Sequence, residues 1–127
     1  MTDTADSYTL AVAQPRVRTE PDHSANVAHA VDLVAEAAAR GSDLVLFPEH
    51  SPGPFREGQD YDAAGPLAAA AREGAINVVW SRMEACEDGL WRLVVYVLDR
   101  GGRTVLRYER THPATVPSAD TGGFVAP

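Results

Sequence analysis

The sequence contains no lysine: all eleven basic residues are arginine. That excludes any mechanism resting on a Schiff base or an ammonium proton donor. Cysteine is nearly as scarce. Cys86 stands alone, so neither an internal disulfide nor a cysteine metal cluster can form. No apolar run approaches the ~18 residues that a membrane-crossing helix requires. The opening residues 1–7 are polar and acidic, without the basic and apolar regions of a secretory leader, so a cytoplasmic location is expected. Positive charge is in deficit too. A formal net charge of −7 argues against nucleic acid or an anionic membrane as partner, because each is recognised through a basic patch.

What remains is a soluble-type composition, 45% hydrophobic over 127 residues, enough for one domain with a core and too little for two. The segment from Tyr8 to Gln14 alternates larger and smaller apolar residues and stops at Pro15, as a strand does. Asp22 or Ser24 can cap a helix whose apolar positions Val27, Ala30, Val31, Val34, Ala37 and Ala38 fall on one face, with Gly41 as terminator. Leu44 to Phe47 then forms a short buried strand, completing a βαβ unit. Pro48 ends its ladder and leaves Glu49 at the carboxyl end, where open α/β sheets hold their ligands.

Beyond a Pro- and Gly-rich loop over 51–59, Asp62 and Pro66 begin an alanine-rich helix that Gly74 is expected to close. Ile76 to Trp80 reads as a third, parallel strand and 81–89 as a polar connection. Leu90 to Leu98 and Thr104 to Arg110 read as an antiparallel hairpin turning at Asp99 to Gly102. On its second strand Leu106, Tyr108 and Arg110 share a face, and that face is expected to point into the core. Residues 113–127 carry little periodicity and read as an extended segment.

Three passages carry a resemblance: LAVAQ at Leu10–Gln14, AAARGSDLVLFPEH at Ala37–His50, and DRGGRTVLRYERTH at Asp99–His112. In them the chain resembles the first half of the carbon-nitrogen hydrolase (nitrilase) superfamily. The resemblance implies an α/β fold, half of an αββα sandwich, with a mixed sheet, two helices and a C-terminal antiparallel hairpin. It also implies hydrolysis of amides, nitriles or related compounds by a glutamate base, a lysine and a cysteine nucleophile, without cofactor.

Glu49 matches the family's glutamate, and a carboxylate in an apolar setting can take a proton from a thiol. Arg110 stands where the resemblance places the lysine; its guanidinium does not release a proton, but can bind an oxyanion or pair with Glu49. His50, Tyr108 and His112 flank these two and are the expected substrate-facing residues. The nucleophilic cysteine has no counterpart, since it belongs to the second half of the family fold, and Cys86 sits among Glu84, Glu87 and Asp88, which disfavour a thiolate. Trp80 and Arg92 stand where the family tends to have glycine and asparagine. His50 and His112 have no spacing that would join them to Glu49 around a metal, so no metal site is expected.

These readings lead to a truncated single domain that works with a partner. Tyr8, Leu10, Trp80, Trp91 and Tyr96 offer more apolar area than a half-sandwich hides, so a homo-oligomer or a second-half polypeptide is expected to cover it. Three functions stay open. The chain could act on a carbon-nitrogen compound with a partner's cysteine, serve as a non-catalytic binding or scaffolding relative, or be a cysteine-independent acid/base enzyme built on Glu49.

Overall fold

A computed structural model of the chain describes residues 7–18, 24–53 and 61–111. The expected cap Asp22, the loop over 54–59, His112 and the extended 113–127 segment lie outside the described residues. The elements run β1 (Leu10–Val12), α1 (Ser24–Ala39), β2 (Leu44–Leu46), α2 (Ala64–Gly74), β3 (Asn77–Ala85), β4 (Trp91–Leu98) and β5 (Thr104–Glu109). They form one five-stranded sheet in sequence order, with β1, β2 and β3 parallel and β3, β4 and β5 antiparallel.

Helix α1 forms for the reason its spacing suggests. Val27, Ala30, Val34 and Ala37 are buried along one stripe, against β2 and α2. It ends in paired reverse hydrogen bonds, Gly41 N–H to Ala38 O and Ser42 N–H to Ala37 O, with Gly41 at φ 79°. Helix α2 ends differently from expectation. Gly74 is its last helical residue, and Ala75 takes the left-handed position at φ 48°. A Cβ on Gly74 would lie 2.8 Å from the Ala38 Cβ, so this glycine serves the close approach of the two helices and not the turn. At the other end, the Asp62 carboxylate accepts the Gly65 N–H at 3.0 Å.

The register divides the sheet into two unlike faces. Ala11, Val45, Val78 and Leu98 lie in one row beneath the helices, and Trp80 with Tyr96 forms the next. Trp80 is 1% exposed and stacks on Tyr96 with ring centroids 5.0 Å apart. On the opposite face, Leu10 is 53% and Val12 60% exposed, and Leu46, Leu106 and Tyr108 are exposed with them.

Two expectations therefore change. The Leu106 and Tyr108 face of β5 is not the core face, because both helices pack on the other side. Trp80 and Tyr96 belong to the covered face and are no part of the open apolar surface.

Strand β3 is also longer than its apolar pattern suggests. It runs through Arg82 and Glu84 to Ala85, pairing with β4 over its outer half, where a polar connection was expected. The polar residues are tolerated because they are paired. Arg82 lies 5.6 Å from the ring centroids of both Trp80 and Tyr96 and donates to Glu84 at 2.7 Å. Glu84 also accepts from Tyr96 and Arg107. Burial acts to raise the Glu84 pKa, but the hydrogen bonds from Tyr96, Arg82 and Arg107 outweigh it and hold the carboxyl below its ordinary value.

Candidate active site

Strand β2 ends at Leu46, but the chain stays beside β3 for five more residues. The Phe47 N–H donates to Val79 O at 2.9 Å, continuing the ladder by one bond. Pro48 has no N–H, and a turn follows in which the Ser51 N–H reaches Pro48 O at 3.2 Å and His50 adopts φ 63°. Ser81 of β3 receives this turn twice. Its N–H donates to Ser51 O at 3.3 Å, and its hydroxyl accepts the His50 N–H at 2.9 Å. The turn projects Glu49.

At the far side of the sheet, Arg110 follows β5 directly, and its N–H donates to Leu93 O at 2.9 Å. Its Nη1 donates to Glu49 Oε1 at 2.9 Å. The pair joins the ends of β2 and β5 across the two intervening strands, which only a long side chain can do at ~4.8 Å per strand. Both groups face water in part, Glu49 with 53% and Arg110 with 33% of the side chain exposed.

His50 Nε2 lies 3.6 Å from the same Glu49 oxygen, an electrostatic neighbour beyond hydrogen-bond length. Burial lowers the His50 pKa; Glu49 pulls it back up and Arg110 pushes it further down, leaving it below 6.5. The imidazole is therefore neutral near pH 7, available to carry or accept a hydrogen bond without adding charge. Tyr108 is exposed on the open face, across β4 from Ser81 in the Ser81, Val95, Tyr108 row. His112 lies outside the described residues.

Sequence reasoning thus names Glu49, His50 and Arg110, which the fold brings together, but places Ser81 in a connecting loop. A lone serine between strand-forming residues carries no signal of its own; its partner is a backbone N–H that only the fold supplies.

Cys86 lies elsewhere. It sits in the turn past the Ala85–Trp91 pair, at the lip of a cleft of about 530 Å³ shared with Asp88, Arg92, Arg107 and Glu109. Among its acidic neighbours in sequence, Asp88 is bound through both carboxylate oxygens by Arg92, and the Cys86 thiol itself reaches the Glu84 carbonyl oxygen at 3.9 Å. Among the described residues no group of three His, Cys, Asp or Glu side chains could hold a metal ion. No helix among them is long and apolar enough to cross a membrane.

The family model for carbon-nitrogen hydrolases matches residues 9–125. The chain belongs to the carbon-nitrogen hydrolase family. No curated protein matches it by sequence.

Among solved structures, an amidase from Nesterenkonia sp. superposes with a TM-score of 0.77 at 21% identity, covering 94% of this chain and 48% of its own. The NitN amidase from Nesterenkonia sp. AN1 gives 0.71 at 22%, over 84% and 45%. A carbon-nitrogen hydrolase from Helicobacter pylori G27 gives 0.69 at 16%, over 83% and 40%. This carbon-nitrogen hydrolase chain therefore spans less than half the length of the structures it resembles. Its mixed five-stranded sheet with two helices is the nitrilase-type α/β fold that the resemblance implies.

Proposed function

We propose that this chain supplies the acid/base side of a site that hydrolyses an amide, nitrile or related carbon-nitrogen compound. The cysteine nucleophile comes from polypeptide that covers the open sheet face. The observation that carries the reading is the placement of Glu49 and Arg110 together at the sheet's end, 2.9 Å apart and open to solvent. The similar Nesterenkonia amidase has been captured with butyramide bound and with acrylamide added at its active-site cysteine. Short amides are thus the substrates to try first.

The chemistry follows from the residue types. Glu49 takes the thiol proton as sulfur bonds to the carbonyl carbon, and the negative charge developing on oxygen needs a donor. Arg110 can provide it, or hold Glu49 in place, but it cannot deliver a proton. Glu49 then protonates the departing amine, takes a proton from water as hydroxide attacks the thioester, and returns it to the thiol.

The covering polypeptide that brings the cysteine is a second-half chain; another copy of this one, whose one cysteine is Cys86, could cover the open face without completing the site. In either case the protein at micromolar concentration is an oligomer, and a monomer by light scattering would refute that part of the reading. Ammonia release from butyramide should appear only in the assembled complex, and Glu49→Gln should reduce it at least ~100-fold. Undiminished turnover in Glu49→Gln would overturn the proposal. The closed ion pair favours one further reading, a silent site in a binding or scaffolding relative. In that case Glu49→Gln changes thermal stability while no assembled form releases ammonia.

A further inference from the structure

Glu49 rides on a turn that closes on itself through a single hydrogen bond, Ser51 N–H to Pro48 O at 3.2 Å. Such a turn does not fix a carboxylate by itself, and His50 within it holds a left-handed conformation that a non-glycine residue adopts at a cost. Its orientation must be set from outside. Three bonds tie the segment to β3: Phe47 N–H to Val79 O, Ser81 N–H to Ser51 O, and His50 N–H to Ser81 Oγ. The first two are backbone bonds that any residue except proline could donate or accept. Only the third depends on a side chain, and it falls on the residue with the unusual φ, next to Glu49.

We infer that the Ser81 hydroxyl is a positioning group for this site, holding the His50 amide so that Glu49 is presented to Arg110. Ser81 is buried, 5% exposed, in a row with Val95 and Tyr108, where strand chemistry alone would favour another apolar residue. Without the hydroxyl, the His50 N–H is left without its acceptor in a partly buried place. The turn then gains by swinging out to water, and His50 and Glu49 move with it. The inference rests on reading Glu49 as the carboxylate of the site, but it concerns the geometry of this chain and needs no turnover to be read.

The test compares Ser81→Thr with Ser81→Val in the full chain. The two side chains have nearly the same shape and both suit a strand, so the hydroxyl is the difference between them. The readout is the imidazole titration of His50 by NMR, which reports its burial and its two charged neighbours, Glu49 and Arg110. Ser81→Thr should titrate like the parent chain. Ser81→Val should titrate at higher pH, toward the ordinary histidine value, and lose the Arg110 guanidinium resonances that pairing with Glu49 sharpens. A parent-like titration in Ser81→Val, or an equal rise in both variants, would overturn the inference. Absence of ammonia release from the assembled protein would count against the proposed function and leave this result standing.

Discussion

The two faces of the sheet are made from the same five strands yet do opposite things. On the covered face, Val45, Val78 and Trp80 of the strands are shut away from water together with Val34 of α1 and Leu67 of α2. One residue along the same strands, Leu10, Val12, Leu46, Leu106 and Tyr108 stand in solvent, and the Glu49–Arg110 pair forms at that sheet's end. One face therefore holds the buried core of the chain, and the other is left open to solvent. Exposed apolar side chains of this kind are where we propose that other polypeptide packs.

The largest test of this division lies at Trp80. Its ring is enclosed, stacked on Tyr96, and its Nε1 has no hydrogen-bond partner among the described residues. Trp80→Ala should cost about 3–5 kcal/mol in urea denaturation, through lost transfer energy and the cavity left behind. Trp80→Phe removes the unpaired N–H and should cost less than about 1.5 kcal/mol. Equal losses in the two variants would mean that the indole nitrogen, and not the ring's volume, matters at this place.

A smaller effect is expected where the covered face runs out beyond the helices. Alternate residues of β3 continue there as Arg82 and Glu84, and apolar packing gives way to charge. Glu84→Gln keeps the shape but takes from Arg82 its carboxylate partner and leaves Arg107 with Glu109 alone, at a cost of about 1–3 kcal/mol.

The pH dependence has a definite sign. Because the folded-state pKa of Glu84 lies below its ordinary 4.5, the unfolded chain binds more protons between the two values. The stabilisation is complete above 4.5 and is lost as pH falls through the folded value. Thermal unfolding across that acid window should therefore be shallower in Glu84→Gln than in the parent chain. Parallel curves would show that Glu84 contributes no charge-dependent stability.

The order of elements was open to sequence reasoning because each depends on local pattern. The stripe from Val27 to Ala37 has the spacing of a helix packed on one side, and Phe47-Pro48-Glu49 reads as a strand end carrying a carboxylate. What a pattern does not contain is the identity of the covering layer. Leu10 and Val12 alternate correctly for a strand, but alternation says that one face is apolar without saying which face the helices take. The outer half of β3 was hidden because Arg82 and Glu84 look like a loop until Tyr96 and Arg107 arrive from neighbouring strands to pair with them. Gly74 carried a terminator's signal while serving the approach of Ala38. In each case the missing information is a contact between residues distant in the chain.

The smallest effect is the one that separates the faces most sharply. Val12 and Leu106 sit on the two edge strands of the sheet, exposed, and neither belongs to the Glu49–Arg110 pair. Changing both to serine removes apolar surface that the isolated chain does not bury, so its unfolding free energy should move by no more than about 0.5 kcal/mol. The same double change should shift the chain from oligomer toward monomer in light scattering, because the lost area counts only where other polypeptide covers it. A loss of several kcal/mol in the isolated chain would mean that the open face already contributes to the core. Unaltered assembly would mean that the covering polypeptide binds elsewhere.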